Sequence, residues 1–240
     1  MRTVTELAPV SPAGTSGGRD WVDLLFGRTL PALFFGLFIV YELLVTGIAA
    51  TRLSQPGAGV DDYLAFANRV LRLTFFTMLV VLYVVRLQSK KADRRPFVVL
   101  VSMVGTFCVL LTSYLPAVPH GPGFLLAGDL LLTIGMAWAV WGLAYLRRSF
   151  SILPEARRLV TGGPFGLCRN PLYLGEGVAT IGVVLPGFSP WHLLLLAVFV
   201  SSQLLRIRWE QRVLLDAFGD EYRSYLGRVP MLIPFWPVRP

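Results

Sequence analysis

A turn between residues 161 and 176, TGGPFGLCRNPLYLGE, sets an arginine, an asparagine and a tyrosine beside a long apolar stretch. Pro171 suits the first position of a helix because its missing N–H is not needed there, and the side chain of Asn170 before it can cap that helix. The free N–H groups and positive dipole of the helix start, together with Arg169, would suit a carboxylate or a phosphate. The turn therefore predicts a small-molecule site. A capped helix after a loop is the simpler alternative.

Two acidic side chains are further candidates for this site. Glu176 shares a helical face with Tyr173, which lies three residues earlier. Glu210 follows Arg206 by four residues in an amphipathic stretch from 206 to 225, RIRWEQRVLLDAFGDEYRSY. If the chain turns back before this stretch, Glu210 comes close to the turn. An ordinary ion pair between Arg206 and Glu210 is the simpler alternative.

The elements that position these residues belong to a membrane protein. The chain is 55% hydrophobic and 15% charged, and its mean hydropathy is +0.63, which is far from the composition of a soluble domain. Apolar runs near the roughly 20 residues that a bilayer demands occur at 29–50, 70–87, 97–115 and 124–146. We therefore predict an all-α, multi-pass integral membrane protein.

A fifth apolar block, from 171 to 206, is interrupted by the turn LPGFSP at 185–190 and is predicted to form a helical hairpin. Its first arm, 171–185, is short for a span, so tilt, local thinning of the bilayer and a partly re-entrant course all stay open. Four spans and the hairpin give about six hydrophobic helical segments. The C-terminal amphipathic helix follows them. A short interfacial helix is predicted at 60–69, before the second span.

Positive charges predict the orientation. The linker from Arg86 to Arg95 also carries Lys90, Lys91 and Arg94, so it should be cytoplasmic. Counting from it, both termini and the basic loop at 147–169 fall on the same side, which is an N-in, C-in arrangement. The net charge of +8 then reflects topology and contact with anionic membrane lipids. No basic and aromatic array indicates nucleic-acid binding.

Three regions are expected. Residues 1–28, rich in Ser, Thr, Gly and Pro, should form a flexible cytosolic tail. Residues 29–146 should form a four-span bundle, and 147–240 the region that carries the site. Cys108 and Cys168 are predicted in a span and in the turn, so no disulfide is expected, and Cys168 should pack the turn rather than act as a nucleophile. Both histidines fall on the opposite side, so no metal site is expected.

Two more acids lie at membrane depth, Glu42 in the first span and Asp129 in the fourth. An ionisable group inside a membrane is a functional candidate by default. Structural pairs or hydrogen bonds inside the bundle are the favoured interpretation for both.

The order of motifs between 155 and 234 resembles the isoprenylcysteine carboxyl methyltransferase family and the related phospholipid N-methyltransferases. The motifs are LVTxG at 159–163, RNPxYLG at 169–175 and E(x7)FGxxYxxY at 210–225. The resemblance implies a pocket for S-adenosylmethionine between the loop, the hairpin and the C-terminal helix. It also implies access from the cytosol for the cofactor and from the bilayer for a lipid-like or prenylated acceptor.

The same resemblance implies roles for single residues. It favours methylation of an isoprenylcysteine-type carboxylate, with Arg169, Glu210 and Tyr173 as catalytic residues and with Glu176 and Arg206 facing the acceptor. The cofactor-binding residues that it implies are Arg158, Leu159, Val160, Gly163, Phe165, Asn170, Pro171, Tyr173 and Glu210.

Asn170 and Arg158 stand where eukaryotic members of this family have histidine. The sequence RNP is similar to prokaryotic members, so we expect a protein of a prokaryotic inner (cytoplasmic) membrane with its site facing the cytosol. The departures leave the acceptor open between a carboxylate, an amine and a thiol. For an amine or a thiol, Glu210 or Glu176 would take the proton.

Two other functions are alternatives. RNPLYLGE and the closing YRSYLGRVPMLIP also resemble membrane sterol reductases, which use NADPH. A non-enzymatic transporter or scaffold would place polar groups at the bilayer midplane in paired broken helices. Here they are predicted at one cytosolic rim, which favours the methyltransferase.

Overall fold

The computed structural model describes residues 29–85, 91–93 and 95–237, so the predicted N-terminal tail and most of the linker after Arg86 lie outside it. The described chain is mainly helical, which confirms the all-α prediction. Sheet pairing in these residues is limited to two short antiparallel strands, β1 (Lys91–Ala92) and β2 (Glu155–Ala156). The helices are α1 (Leu30–Leu53), α2 (Val60–Val85), α3 (Pro96–Phe107), α4 (Pro122–Leu146), α5 (Pro171–Val184) and α6 (Pro190–Leu226).

Five of these helices are long and apolar enough to cross a bilayer: α1, α2, α4, α6, and α3 together with its 3-10 extension to Tyr114. Their outer faces expose large apolar side chains such as Leu37, Leu44 and Leu193, which hydrocarbon chains of lipid would cover. The 14 residues of α5 rise only about 21 Å, less than the roughly 30 Å hydrocarbon core. The number of segments that cross fully, and their orientation, stay predictions.

Helix α2 corrects one expectation, because it begins at Val60 and absorbs the interfacial helix predicted at 60–69. Its polar residues are accommodated by partners inside the bundle. Arg69 and Arg72 lie 3.7 and 3.2 Å from the carboxylate of Glu42 in α1. An arginine paired in this way can lie on an apolar helix, so the helix continues through it.

A hydrogen-bonded group next to this ion pair joins α2 to α4. The side-chain amide of Asn68 donates to Asp129 at 3.3 Å, and the Thr133 hydroxyl donates to the amide oxygen of Asn68 at 2.8 Å. Together with the Glu42 ion pairs, these contacts are the structural pairs that the sequence predicts for the two intramembrane acids.

Helices α4 and α5 pack backbone against backbone. A Cβ atom built on Gly135 of α4 would lie 2.3 Å from the backbone nitrogen of Ala179, and one built on Gly175 of α5 would lie 2.6 Å from that of Ala139. Such contacts need small residues and are typical of helix pairs in membranes. They determine where the start of α5, which carries the predicted site, lies in the bundle.

Helix α6 continues the second hairpin arm through the amphipathic stretch, over 37 residues in all. Its one break is at Gly219, whose φ of 51° and ψ of −122° are readily adopted only by glycine. After the break the chain turns back onto the loop before α5. The Tyr225 hydroxyl donates to the Phe165 carbonyl at 2.6 Å, and the Arg169 N–H donates to the Pro230 carbonyl at 2.8 Å.

Candidate active site

A cavity of about 460 Å³ lies between the helices and the loop that precedes α5. Side chains from all six helices line it, and its size falls in the range of small-molecule sites, roughly 300–1,000 Å³. The short pairing of β1 with β2 holds part of the α2–α3 linker against the loop after α4. This loop also supplies residues of the cavity wall. Segments far apart in the chain therefore meet at one site.

The cavity wall has two parts of different character. The polar part is formed by side chains of the loop, α5 and α6, which include Arg169, Tyr173 and Glu210. The aromatic part comes from α1, α2 and α3, whose rings pack at centroid distances of about 5 to 6 Å. Its six phenylalanines are Phe34, Phe35, Phe38, Phe75, Phe76 and Phe107.

Tyr173 of α5 meets Glu210 of α6 in the polar part. The phenol hydroxyl donates to Glu210 Oε1 at 2.8 Å. This contact joins two residues that the sequence places 37 positions apart, and it follows from the return of the hairpin to the side that it left. Because a hydrogen bond to an ionised carboxylate is stronger than one between neutral groups, it fixes the orientation of Glu210.

Arg206 is held by neighbours other than Glu210. Its guanidinium donates to Gln203 Oε1 at 2.7 Å and to the Ile152 carbonyl at 3.1 Å, and it lies over the Tyr173 ring at 5.0 Å. The simple ion pair between Arg206 and Glu210 is not found among the described residues. Only 5% of Arg206 is exposed, and its buried charge is stabilised by these hydrogen bonds, by the ring and by the nearby carboxylates of Glu176 and Glu210.

Gln203 is a site residue that the sequence interpretation missed. Its amide nitrogen donates to Glu176 Oε2 at 2.8 Å, while its amide oxygen accepts from Arg206. It thus links a carboxylate of α5 to a guanidinium of α6. The signal was present, because positions 203, 206 and 210 recur at spacings of three and four on one helical face.

Arg169 has unfilled hydrogen-bonding capacity beside the cavity. Its side chain lines the cavity, and its buried Nε has no hydrogen-bond partner in the described part of the chain. A buried donor without a partner is costly, and a guanidinium suits planar anions. The predicted anion-binding character of the turn therefore rests on this side chain.

Asn170 does not cap α5, which corrects the first expectation. Its side-chain nitrogen donates to the Met231 carbonyl at 2.9 Å, and α5 begins without a side-chain cap. Pro171 does take the first helical position, as predicted. The C-terminal segment therefore lies next to the start of α5, and it binds the Asn170 side chain that the local sequence pattern predicts to cap the helix.

Most of the predicted cofactor-binding and catalytic residues line the cavity, but Gly163 and Pro171 do not. Gly163 has a φ of 59°, and a Cβ there would lie 2.3 Å from the Tyr145 ring, so it serves the turn rather than the cavity wall. The predicted residues that line the cavity are Arg158, Leu159, Val160, Phe165, Arg169, Asn170, Tyr173, Glu176, Arg206 and Glu210.

Cys168 packs the turn. Its side chain is completely buried, and burial raises the pKa of its thiol to about 11. A thiol with this pKa is almost entirely protonated at neutral pH, and the thiolate is the nucleophilic form. Cys168 is therefore a structural residue.

Comparisons with known proteins point to one family. Residues 124–221 match the family model described as Phospholipid methyltransferase. Methanethiol S-methyltransferase 1 of Bradyrhizobium diazoefficiens is 46% identical over 67 residues, which are 28% of this chain and 23% of that protein. Protein-S-isoprenylcysteine O-methyltransferase B of Arabidopsis thaliana is 34% identical over 94 residues, which are 37% of this chain and 48% of that protein.

A solved structure of the eukaryotic intramembrane Ras methyltransferase, isoprenylcysteine carboxyl methyltransferase without a monobody, aligns over 92% of this chain and 87% of its own. Its TM-score is 0.48 and its sequence identity 17%. The chain spans about a quarter to a half of the length of the two curated relatives. Those relatives and the family match agree with the resemblance that the motifs carry. The segment 124–221 is thus similar to the Phospholipid methyltransferase family, and parts of the chain are similar to membrane methyltransferases that act on methanethiol and on isoprenylcysteine.

Proposed function

We propose that this chain transfers a methyl group from S-adenosylmethionine to a lipophilic acceptor, with O-methylation of an isoprenylcysteine-type carboxylate as the favoured reaction. The observation that carries the proposal is the two-part wall of the cavity. Its polar part lies largely within the family-matched segment, and its aromatic part comes from the first three helices. A charged donor and an apolar acceptor chain can therefore share one cavity.

The polar part fits S-adenosylmethionine, which supplies a methyl group on a positively charged sulfur when it is bound. Glu210, oriented by Tyr173, offers a negative charge to that cation. The Arg206 guanidinium already covers a face of the Tyr173 ring, so we assign the remaining cation contact to the ring of Phe165. The cavity wall at 158–160 would contact the adenosine.

A carboxylate acceptor suits the unfilled donors of Arg169. Such an acceptor is ionised at neutral pH and needs no base, so alignment of the two reactants does most of the catalytic work. Arg169 would hold the carboxylate, with Glu176 and Arg206 lining the path to it. The aromatic part would hold a hydrocarbon chain such as a prenyl group.

A thiol acceptor is the second candidate, and two observations favour it. One relative is a methanethiol S-methyltransferase, and two carboxylates, Glu176 and Glu210, line the cavity. A free thiol has a pKa near 8.5, so most of it is protonated at pH 7. A carboxylate would then take the thiol proton as the sulfur attacks the methyl group.

The site would face the cytosol of a prokaryotic inner membrane. The loop between α4 and α5 carries Arg147, Arg157, Arg158 and Arg169, and β2 within this loop pairs with β1 of the basic linker. The connections at the other end, 115–121 and 185–189, contain no lysine or arginine. This asymmetry supports a cytosolic polar part by the positive-inside rule.

The test is transfer of tritiated methyl groups from S-adenosylmethionine by the purified full-length chain in lipid nanodiscs. N-acetyl-S-farnesylcysteine, methanethiol and phosphatidylethanolamine serve as separate acceptors. We expect base-labile methyl ester on the farnesylcysteine, abolished by Arg169→Ala and retained by Arg208→Ala, a matched change at an exposed arginine of α6. Transfer to methanethiol alone would select the thiol reaction. Transfer to none of the three would overturn the acceptor assignment.

A further inference from the structure

Tyr222 is a buried residue whose polar group faces the cavity. Only 2% of the residue is exposed, and it contributes to the cavity wall. Its hydroxyl forms no hydrogen bond with another described residue, whereas the hydroxyl of Tyr225, three residues later, donates to the Phe165 carbonyl. The ring of Tyr222 is enclosed while its hydroxyl is not among the fully enclosed atoms that lack a partner, so the hydroxyl is open to the cavity and can donate to a ligand that enters it.

The break at Gly219 is what brings Tyr222 to this position. In an uninterrupted α-helix, twelve residues make about three and a third turns, so Tyr222 would lie roughly 120° around the axis from Glu210. The positive φ at Gly219 redirects the last two turns of α6. Glu210 and Tyr222 then line the same cavity. The glycine is therefore a requirement of the site as well as of the chain path.

The charges around Tyr222 select the kind of ligand. Arg169 and Glu210 are the charged side chains that act electrostatically on its hydroxyl. Arg169 has a buried Nε without a partner, so two donors without acceptors lie at the polar part of one cavity. Glu210 adds a negative charge, which disfavours a doubly charged phosphate there. A singly charged, planar anion fits this set best.

We propose that the Tyr222 hydroxyl and the Arg169 guanidinium together bind a carboxylate. The inference rests on the proposed function and deepens it by adding Tyr222 as a second donor. The carboxylate has two sources in that function, namely the methionine end of the methyl donor and the acceptor itself. Both are singly charged and planar, and ligands that lack one or the other carboxylate distinguish them.

The variant is Tyr222→Phe, which removes the hydroxyl and keeps the ring in its place beside Tyr225, 5.9 Å away between centroids. Calorimetry on the full-length protein would measure the Kd of S-adenosylhomocysteine and of its decarboxylated analogue 5′-deoxy-5′-(3-aminopropylthio)adenosine, which keeps the ammonium group and lacks the carboxylate. Protein saturated with S-adenosylhomocysteine would be titrated with N-acetyl-S-farnesylcysteine and with its methyl ester. Tyr114→Phe, the same change at a residue that is 84% exposed, is the control.

A loss of roughly 10- to 100-fold is expected for one carboxylate ligand, since a hydrogen bond to a charged group is lost. A loss for S-adenosylhomocysteine without one for its decarboxylated analogue assigns the carboxylate to the methyl donor. A loss for farnesylcysteine without one for its ester assigns it to the acceptor. If Tyr222→Phe melts like the wild type and weakens neither carboxylate ligand, the inference is wrong. If the wild type binds no S-adenosylhomocysteine, the proposed function fails instead.

Discussion

Gly175 and Gly177 lie two residues apart in α5 and form a matched pair for testing how the site is positioned. A Cβ at Gly177 meets nothing within 4 Å, whereas one at Gly175 meets the Ala139 nitrogen at 2.6 Å, about 0.8 Å short of an ordinary contact at 3.4 Å. Alanine in a helix gains about 1 kcal/mol over glycine. Overpacking against rigid backbone costs about 3 kcal/mol. Gly175→Ala should therefore destabilise the protein by about 2 kcal/mol, and Gly177→Ala should not.

Thermal unfolding in detergent can be followed with a thiol-reactive dye, because both cysteines, Cys108 and Cys168, are buried in the folded chain. We expect the Tm of Gly175→Ala to fall by about 4–8 °C, at about 2–4 °C per kcal/mol, and that of Gly177→Ala to stay level or rise. Methyl transfer should fall with Gly175→Ala, because α5 carries Tyr173 and Glu176. Equal melting temperatures for the two variants would refute the close packing of α4 and α5.

Three further predictions concern single contacts. Tyr173→Phe removes the 2.8 Å hydrogen bond to Glu210 and should lower kcat/KM about 10- to 100-fold with little change in Tm; an unchanged kcat/KM would contradict the role of this bond. Cys168 should react slowly with iodoacetamide at pH 8, and its rate should rise until the pH reaches its pKa of about 11; fast labelling of the folded protein at pH 8 would contradict its burial. A Cβ at Gly219 meets no steric obstacle, so any destabilisation by Gly219→Ala should come from the positive φ alone. We expect a loss of about 1–3 kcal/mol in the free energy of unfolding, measured in a denaturation assay. A neutral effect would show that the break is not needed.

Local signals in the sequence predict much of the helical layout. The start of α5 at Pro171 and the hairpin turn at 185–190 follow from proline and glycine chemistry, which acts within a few residues. The helix start at Val60 agrees with the interfacial helix predicted at 60–69, but the continuation of that helix into the second span could not be predicted in this way. At the join, Arg69 and Arg72 pair with Glu42 of α1, and these partners are too distant in sequence to give a local signal.

The candidate site shows the same division. The approach of Glu210 to Tyr173 could be inferred, because a hairpin returns the chain to the side that it left. The partner of Asn170 could not, since the Met231 carbonyl is 61 positions away and competes with a local capping pattern. The orientation of Tyr222 depends on a backbone angle at Gly219. A glycine in the sequence permits that angle but does not predict it.

The proposed function requires that the cavity bind S-adenosylmethionine and not a nicotinamide cofactor. Calorimetry of the purified full-length protein with S-adenosylhomocysteine and, separately, with NADPH distinguishes the two. We expect saturable binding of S-adenosylhomocysteine at one site per chain, weakened by Glu210→Ala, and no binding of NADPH. Binding of NADPH without any binding of S-adenosylhomocysteine would refute the methyltransferase and favour the reductase.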